Sequence, residues 1–216
     1  MVMTSPIIYW FRQDLRLHDL PALAAAMGSD KPVIPCYILD DDNTGEWATG
    51  AASRWWLERS LASLAADIAD GGGSLIFRRG ETKAQLRQLI DESGADTVYC
   101  SRQYEPWAST LERSLHQEFS ENGITLKRFP GTLLFEPESI ENQSGLPFRV
   151  FTPFWRKCLR ESHTITSPAA TADQLWYGGS LPGDKLEYWS LSPRQPDWAA
   201  EWGQWWQPGE AGARHK

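Results

Sequence analysis

Ile7-Ile8-Tyr9-Trp10-Phe11 runs without a break into Arg12-Gln13-Asp14-Leu15-Arg16-Leu17-His18-Asp19. Five consecutive bulky apolar residues predict a strand buried on both faces, as in a parallel sheet covered by helices. In open sheets of that kind, ligands bind beyond the carboxyl ends of the strands. Arg12, Asp14 and Arg16 therefore fall where binding chemistry is expected.

Working outward, short apolar runs alternate with amphipathic stretches, the pattern of a doubly wound α/β domain with five parallel strands and helices on both faces. Strands are predicted at Ile7–Phe11, Val33–Leu39, Leu75–Arg78, Thr97–Cys100 and Thr125–Phe129. Helices are predicted around Leu20–Met27, Ala51–Ala69, Lys83–Ser93 and Trp107–Asn122. Leu57, Leu61, Leu64 and Ile68 recur at i, i+4, i+7 and i+11, on one helical face. Thr82 and Glu105-Pro106 read as helix starts. Gly71-Gly72-Gly73 follows a helix and precedes a strand, so it reads as a cap and turn; a phosphate loop needs the opposite order. Val150–Arg156 starts a further short helix.

From Ser167 the chain is rich in Pro, Gly and Ser and reads as a linker, which divides it into a domain over 1–166 and a tail over 167–216. Six of the twelve tryptophans lie in that tail (Trp176, Trp189, Trp198, Trp202, Trp205, Trp206), too many for a solvated linker. Such a tail is expected to lie across a protein surface, and self-association through its rings is expected as well.

The net charge of −7 argues against a broad DNA-binding face on this chain. Cys36, Cys100 and Cys158 include no C-x-x-C pair and read as buried hydrophobes of a reducing compartment. No apolar run approaches the roughly 20 residues that span a bilayer, and Met1–Pro6 does not resemble a signal peptide, so a cytoplasmic protein without membrane contact is expected. Catalytic and metal-binding constellations are absent: there is no H-E-x-x-H, G-x-S-x-G, Walker or G-x-G-x-x-G motif. Asp40-Asp41-Asp42-Asn43-Thr44-Gly45 half resembles a calcium loop, but Ala51 stands where the bidentate Glu belongs.

Several charged groups converge on one end of the predicted sheet. Arg12 and Asp14 follow the first strand, Asp40 the second, and Ser101 to Glu105 the fourth. Arg54 lies in the first turn of the second helix, beside Trp55 and Trp56, either of which offers a face for ring stacking. Position and chemistry alone fit equally an anion-binding pocket and ordinary ion pairs with core aromatics.

Trp10-Phe11-Arg12-x-Asp14-Leu15-Arg16-Leu17-x-Asp19 resembles the opening of DNA photolyases and cryptochromes. Gly50-Ala51-Ala52-Ser53-Arg54-Trp55-Trp56-Leu57, Tyr104-Glu105-Pro106, Leu133-Leu134-Phe135-x-Pro137 and Val150-Phe151-Thr152-Pro153-Phe154 resemble further blocks of that family, in its order. Trp206-x-Pro208-Gly209-Glu210-x-Gly212-Ala213 resembles the segment leading into the family's helical domain. The resemblance implies the N-terminal α/β domain that holds an antenna chromophore and passes its excitation to FAD. It places FAD, the damaged-DNA site and the electron-transfer tryptophans in a helical C-terminal domain that this sequence lacks. By this resemblance the chain alone is inactive as a photolyase and reaches damaged DNA only through the full-length protein.

Trp107-Ala108 stand where one subset of the family has an Asn-Glu pair for methenyltetrahydrofolate, which argues against that folate site. Arg54 and Glu105 resemble members with a deazaflavin or FMN antenna, whereas Ser53-Arg54-Trp55-Trp56 also resembles a group that stacks folate on a tryptophan. The implied pocket comprises Arg12, Asp14, Asp40, Arg54, Trp55 and Glu105. Alternatives are a cryptochrome signalling domain, and a stand-alone nucleotide-binding α/β protein, which predicts a glycine-rich phosphate loop not visible here.

Overall fold

Side chains of β1 (Ile7–Phe11) alternate between two cores, as a period of two requires in a strand covered on both faces. Ile8 and Trp10 join one core, and Ile7, Tyr9 and Phe11 the other. The computed structural model describes residues 4–169 and 175–215. The fold alternates β1, α1 (Pro21–Met27), β2 (Val33–Leu39), α2 (Ala51–Asp70), β3 (Ile76–Arg79), α3 (Thr82–Ser93), β4 (Thr97–Ser101), α4 (Pro106–Glu121) and β5 (Thr125–Phe129). Beyond it come α5 (Phe151–Arg160), α6 (Trp202–Trp205) and α7 (Glu210–Arg214).

The strands form one parallel sheet in the order β3-β2-β1-β4-β5. Ile7 pairs with Val33 on one side and Thr97 on the other, so β1 is central. The order reverses direction between β1 and β4, which makes the crevice above their carboxyl ends the expected ligand position. Leu86, Leu89 and Ile90 of α3 and Leu111, Leu115 and Phe119 of α4 cover one face. Leu23 and Ala26 of α1 and Leu64 and Ile68 of α2 cover the other.

The strand expectations hold to within one residue, and so do the helices. One helix start differs in its mechanism. Glu81, not Thr82, caps α3 by accepting a hydrogen bond from the Ala84 N–H at 3.1 Å. The Thr82 hydroxyl is buried and donates to Asp40 at 2.7 Å. The glycine turn is as expected: Gly71 caps α2, and Gly73 donates to the Ile68 carbonyl at 2.9 Å.

The tail lies across the α/β domain, as its tryptophans predict, although 170–174, part of the predicted linker, lie outside the described residues. Val33 donates to the Leu175 carbonyl at 2.8 Å and accepts from the Tyr177 N–H at 2.9 Å. Asp184 donates to the Phe77 carbonyl of β3 at 2.8 Å. Trp176 and Trp189 are buried, whereas Trp198, Trp205 and Trp206 are exposed. A Cβ at Gly73 would stand 2.6 Å from Trp176, so only glycine lets that ring seat. All three cysteines are free and buried; burial pushes the Cys100 thiol up to about 12. No helix among the described residues is long and apolar enough to cross a membrane.

Beneath the crevice, Arg12 pairs with Glu112 of α4, and both side chains are almost wholly buried. Glu112 also pairs with Arg128 at 2.7 Å, on the half-exposed side. Glu112→Ala leaves the Arg12 guanidinium buried without a counterion, which costs about 3–5 kcal/mol. Arg128→Ala removes a partly solvated partner and costs about 1 kcal/mol or less. Urea-unfolding midpoints of the two variants check the order.

Candidate functional site

Residues leaving β1, β2 and β4 enclose a cavity of about 530 Å³ at the expected crevice. Trp10, Phe11 and Tyr37 supply apolar walls, and Trp107 of α4 and Trp47 of the loop after β2 flank it. Arg12, Gln13, Asp40, Gln103 and Glu105 bring polar atoms to the same lining. A volume of this size, with aromatic walls and a few polar groups, fits a small-molecule site.

Arg12 is positioned by the sheet itself. Its guanidinium donates to the Ser101 carbonyl at 3.2 Å, pairs with Glu112 and lies 4.5 Å over the Trp10 ring. Its Nη2 atom is buried and has no hydrogen-bond partner among the described residues. Burying such a donor unsatisfied costs about 1–3 kcal/mol, so an acceptor on a bound ligand would relieve that cost. Asp14 is buried and serves the framework: it accepts from the Arg12 N–H at 3.0 Å, the Tyr9 hydroxyl at 3.2 Å and the Ser101 hydroxyl at 2.6 Å.

Asp40 stitches the loop after β2 to the start of α3, accepting from the Thr82 N–H at 2.7 Å and the Asn43 N–H at 3.0 Å. Burial alone would raise its pKa, but the hydrogen bonds from Asn43 and Thr82 outweigh it and hold the carboxyl below its ordinary value. Glu105 stands at the N-cap position of α4 without a capping side-chain hydrogen bond, and its carboxylate accepts from the Tyr104 N–H at 3.1 Å and the Gln13 side chain at 3.2 Å.

Arg12, Asp40 and Glu105 thus meet on one cavity, while three other expected residues stand elsewhere. Asp14 lines a second cavity of about 750 Å³ on the α2 side, which shares Arg12, Gln13 and Trp47 with the first. Arg54 faces neither cavity; it donates to the Thr49 carbonyl at 2.9 Å and pairs with Asp41, bracing the loop that carries Trp47. Trp55 is 1% exposed, packed edge-on to Trp202 with Arg59 over its ring. The ring that reaches a cavity is its neighbour Trp56, 42% exposed and lining the second one. Sequence reasoning did not single out Trp47 or Gln13, covered Gln103 only within the stretch Ser101 to Glu105, and read Trp107 only as a departure from a folate site. Trp47, an aromatic in a polar loop, carried a usable signal; the two glutamines carried none.

Among the described residues, no group of three His, Cys, Asp or Glu side chains is placed to hold a metal ion. The arrangement suits binding through ring contacts and a few directed hydrogen bonds.

The DNA photolyase family model matches residues 7–172. A deoxyribodipyrimidine photo-lyase of Agrobacterium fabrum is 41% identical over 99% of this chain and 44% of that protein. Cryptochrome-1 of Arabidopsis thaliana is 34% identical over 74% of this chain and 24% of that protein. The chain therefore spans less than half the length of these curated relatives. Among solved structures, a bacterial class III photolyase from Agrobacterium tumefaciens superimposes with a TM-score of 0.91 and 41% identity, covering all of this chain and 44% of that one. A Synechocystis cryptochrome, at 24% identity and a TM-score of 0.76, shares the fold.

The lowered Asp40 pKa has a sign that can be tested. An unfolded aspartate titrates near 3.9. The stabilisation from ionised Asp40 is therefore fully present above about pH 4 and is lost as pH falls through the lower folded value. Asp40→Asn should cost about 1.5–3 kcal/mol at pH 7. The gap between variant and wild type should narrow at pH 3, as read from urea-unfolding midpoints at the two pH values.

Proposed function

The chain belongs to the DNA photolyase family, and from that premise we propose that it is the light-harvesting α/β domain of a photolyase, with the antenna chromophore held in the 530 Å³ cavity. The observation that carries this reading is the buried, unpartnered Arg12 Nη2 of a residue lining an aromatic-walled cavity at the sheet's switch point. When bound, an antenna absorbs blue light and passes the excitation to FAD. Arg12 would offer its free donor to a ring carbonyl or nitrogen, Asp40 and Glu105 would accept from ring N–H or hydroxyl groups, and Trp47 and Trp107 would flank the ring. Residues 1–166 would form this domain, and 167–216 would lead toward a helical FAD-binding domain, as the longer relatives allow.

Charge narrows the choice among a deazaflavin, FMN and methenyltetrahydrofolate. Among the described residues, Arg12 is the one cation in the lining, and its counterion Glu112 is shared with Arg128, while Asp40 and Glu105 add two carboxylates. A phosphate placed there would meet net negative charge. The lining favours a chromophore whose ring enters without one, a deazaflavin before FMN. A second reading places a folate ring on Trp56 in the 750 Å³ cavity, supported by the half-exposed face of that indole.

Partners follow from the exposed apolar surface. Phe151, Phe154, Trp155 and Leu159 leave much of α5 uncovered, with Leu146 and Val150 exposed beside it. We read this face as the seat of the FAD-binding body, through which damaged DNA would be reached. Trp198, Trp205 and Trp206 would mediate self-association of the isolated chain, which light scattering against concentration tests. A cytoplasmic setting fits this reading.

The 216-residue chain, given FAD and blue light, should leave pyrimidine dimers unrepaired; measurable repair would overturn the division of labour. Trp47→Ala should weaken chromophore binding by about 0.5–1.5 kcal/mol. It should leave the unfolding midpoint nearly unchanged, because the ring is 74% exposed. Absorption titrations with a deazaflavin, FMN and methenyltetrahydrofolate measure it. Loss of binding in Trp56→Ala but not in Glu105→Gln moves the chromophore to the second cavity.

A further inference from the structure

The second cavity has a wall that belongs to the tail. Gly209, Glu210 and Ala213 line it opposite Trp56 and the loop after β1. The Glu210 carboxylate engages that loop with both oxygens. Oε2 accepts from the Leu17 N–H at 2.8 Å, and Oε1 accepts from the His18 N–H at 3.2 Å and lies 2.7 Å from His18 Nδ1. Arg214 Nη1 lies against the His18 ring, 3.2 and 3.4 Å from its two nitrogens. Asp67 of α2 faces the same cluster; its pKa is raised by burial, then by Glu210 and Asp70, with His18 opposing.

Two further contacts hold this segment on α2. Gly209 adopts φ +103°, and a Cβ there would stand 2.6 Å from the Ser63 hydroxyl, so the backbone lies directly on the helix. The Trp206 ring meets Trp56 edge-on at 6.0 Å. Burial is nevertheless slight: Trp206 is exposed, and Gly212 is the one buried residue of α7. A segment held by polar contacts and little apolar area is of the kind that opens locally without global unfolding.

We propose that Glu210 is a positioning residue that latches the tail segment 206–214 over the second cavity, making that segment a strap across its mouth. The carboxylate ties the strap to the loop after β1, so both walls of the cavity close together. Opening the latch frees the Trp56 face. The ligand-release part of this inference rests on the folate reading of that cavity; the latch itself does not.

Hydrogen exchange on the full chain tests the latch. Glu210→Ala should speed exchange at the Leu17 and His18 amides by about tenfold or more, because charge-assisted hydrogen bonds to both are lost. Amides of β1 and β4 should keep their wild-type rates. Gly209→Val, which drives the strap off Ser63 by a different route, should have the same effect at Leu17 and His18. With methenyltetrahydrofolate as probe, release from Glu210→Ala should be faster than from wild type by a similar factor. Unchanged exchange at Leu17 and His18 in Glu210→Ala overturns the latch, and unchanged release from a wild type that binds the probe overturns the strap. If wild type binds no folate, the exchange result alone decides the latch and the folate reading falls separately.

Discussion

The pairing of Arg12 with Glu112 fixes the rest of the ligand-binding end. Both groups are buried, so neither is tolerable without the other, and their union ties the carboxyl end of β1 to α4. Asp14 completes the tie two residues later by collecting the Tyr9 and Ser101 hydroxyls, which joins the mouth of β1 to that of β4. The sheet reverses its winding between those two strands, and the chain leaving their carboxyl ends diverges, α1 after β1 covering one face and α4 after β4 the other. The polar knot fills the floor of that divergence. The cavity above keeps its shape because its base is a network that loses several bonds at once if any member moves.

The framework was legible in the sequence because one rule governed it. Strands buried on both faces read as continuous apolar runs, and Ile7–Phe11 and Val33–Leu39 could be delimited to the residue. The site was legible in place but only partly in composition. Arg12, Asp40 and Glu105 each follow a strand or begin a helix, so chain position alone carried them to the cavity. Trp55 and Trp56 differ by the 100° that separates neighbours on a helix, and two adjacent tryptophans give no sign of which one faces inward. Arg54 met a partner, Asp41, thirteen residues back across a loop whose path the local pattern did not encode.

The tail was the least legible part, for a related reason. Residues beyond 175 earn their order from surfaces of the α/β domain, not from their own periodicity. Trp176 fits because Gly73 carries no side chain, and Glu210 is held by backbone N–H groups more than 190 positions earlier. Neither relationship has a signature within a window of neighbouring residues.

The way Leu175, Tyr177 and Asp184 bond to β2 and β3 bears on modular reuse of this fold. β3 is an edge strand, and such strands expose unpaired backbone that other chains readily adopt. The tail occupies the place beside Val33 that β3 leaves open, then takes up the Phe77 carbonyl on β3 itself. It therefore works as a selvedge, a finished border that keeps the sheet from being extended. Trimming the domain at residue 172, where the match to the family model ends, would strip that border away. A graft or fusion that keeps the chain through Leu191 would carry the border along while leaving behind the exposed rings of Trp198, Trp205 and Trp206.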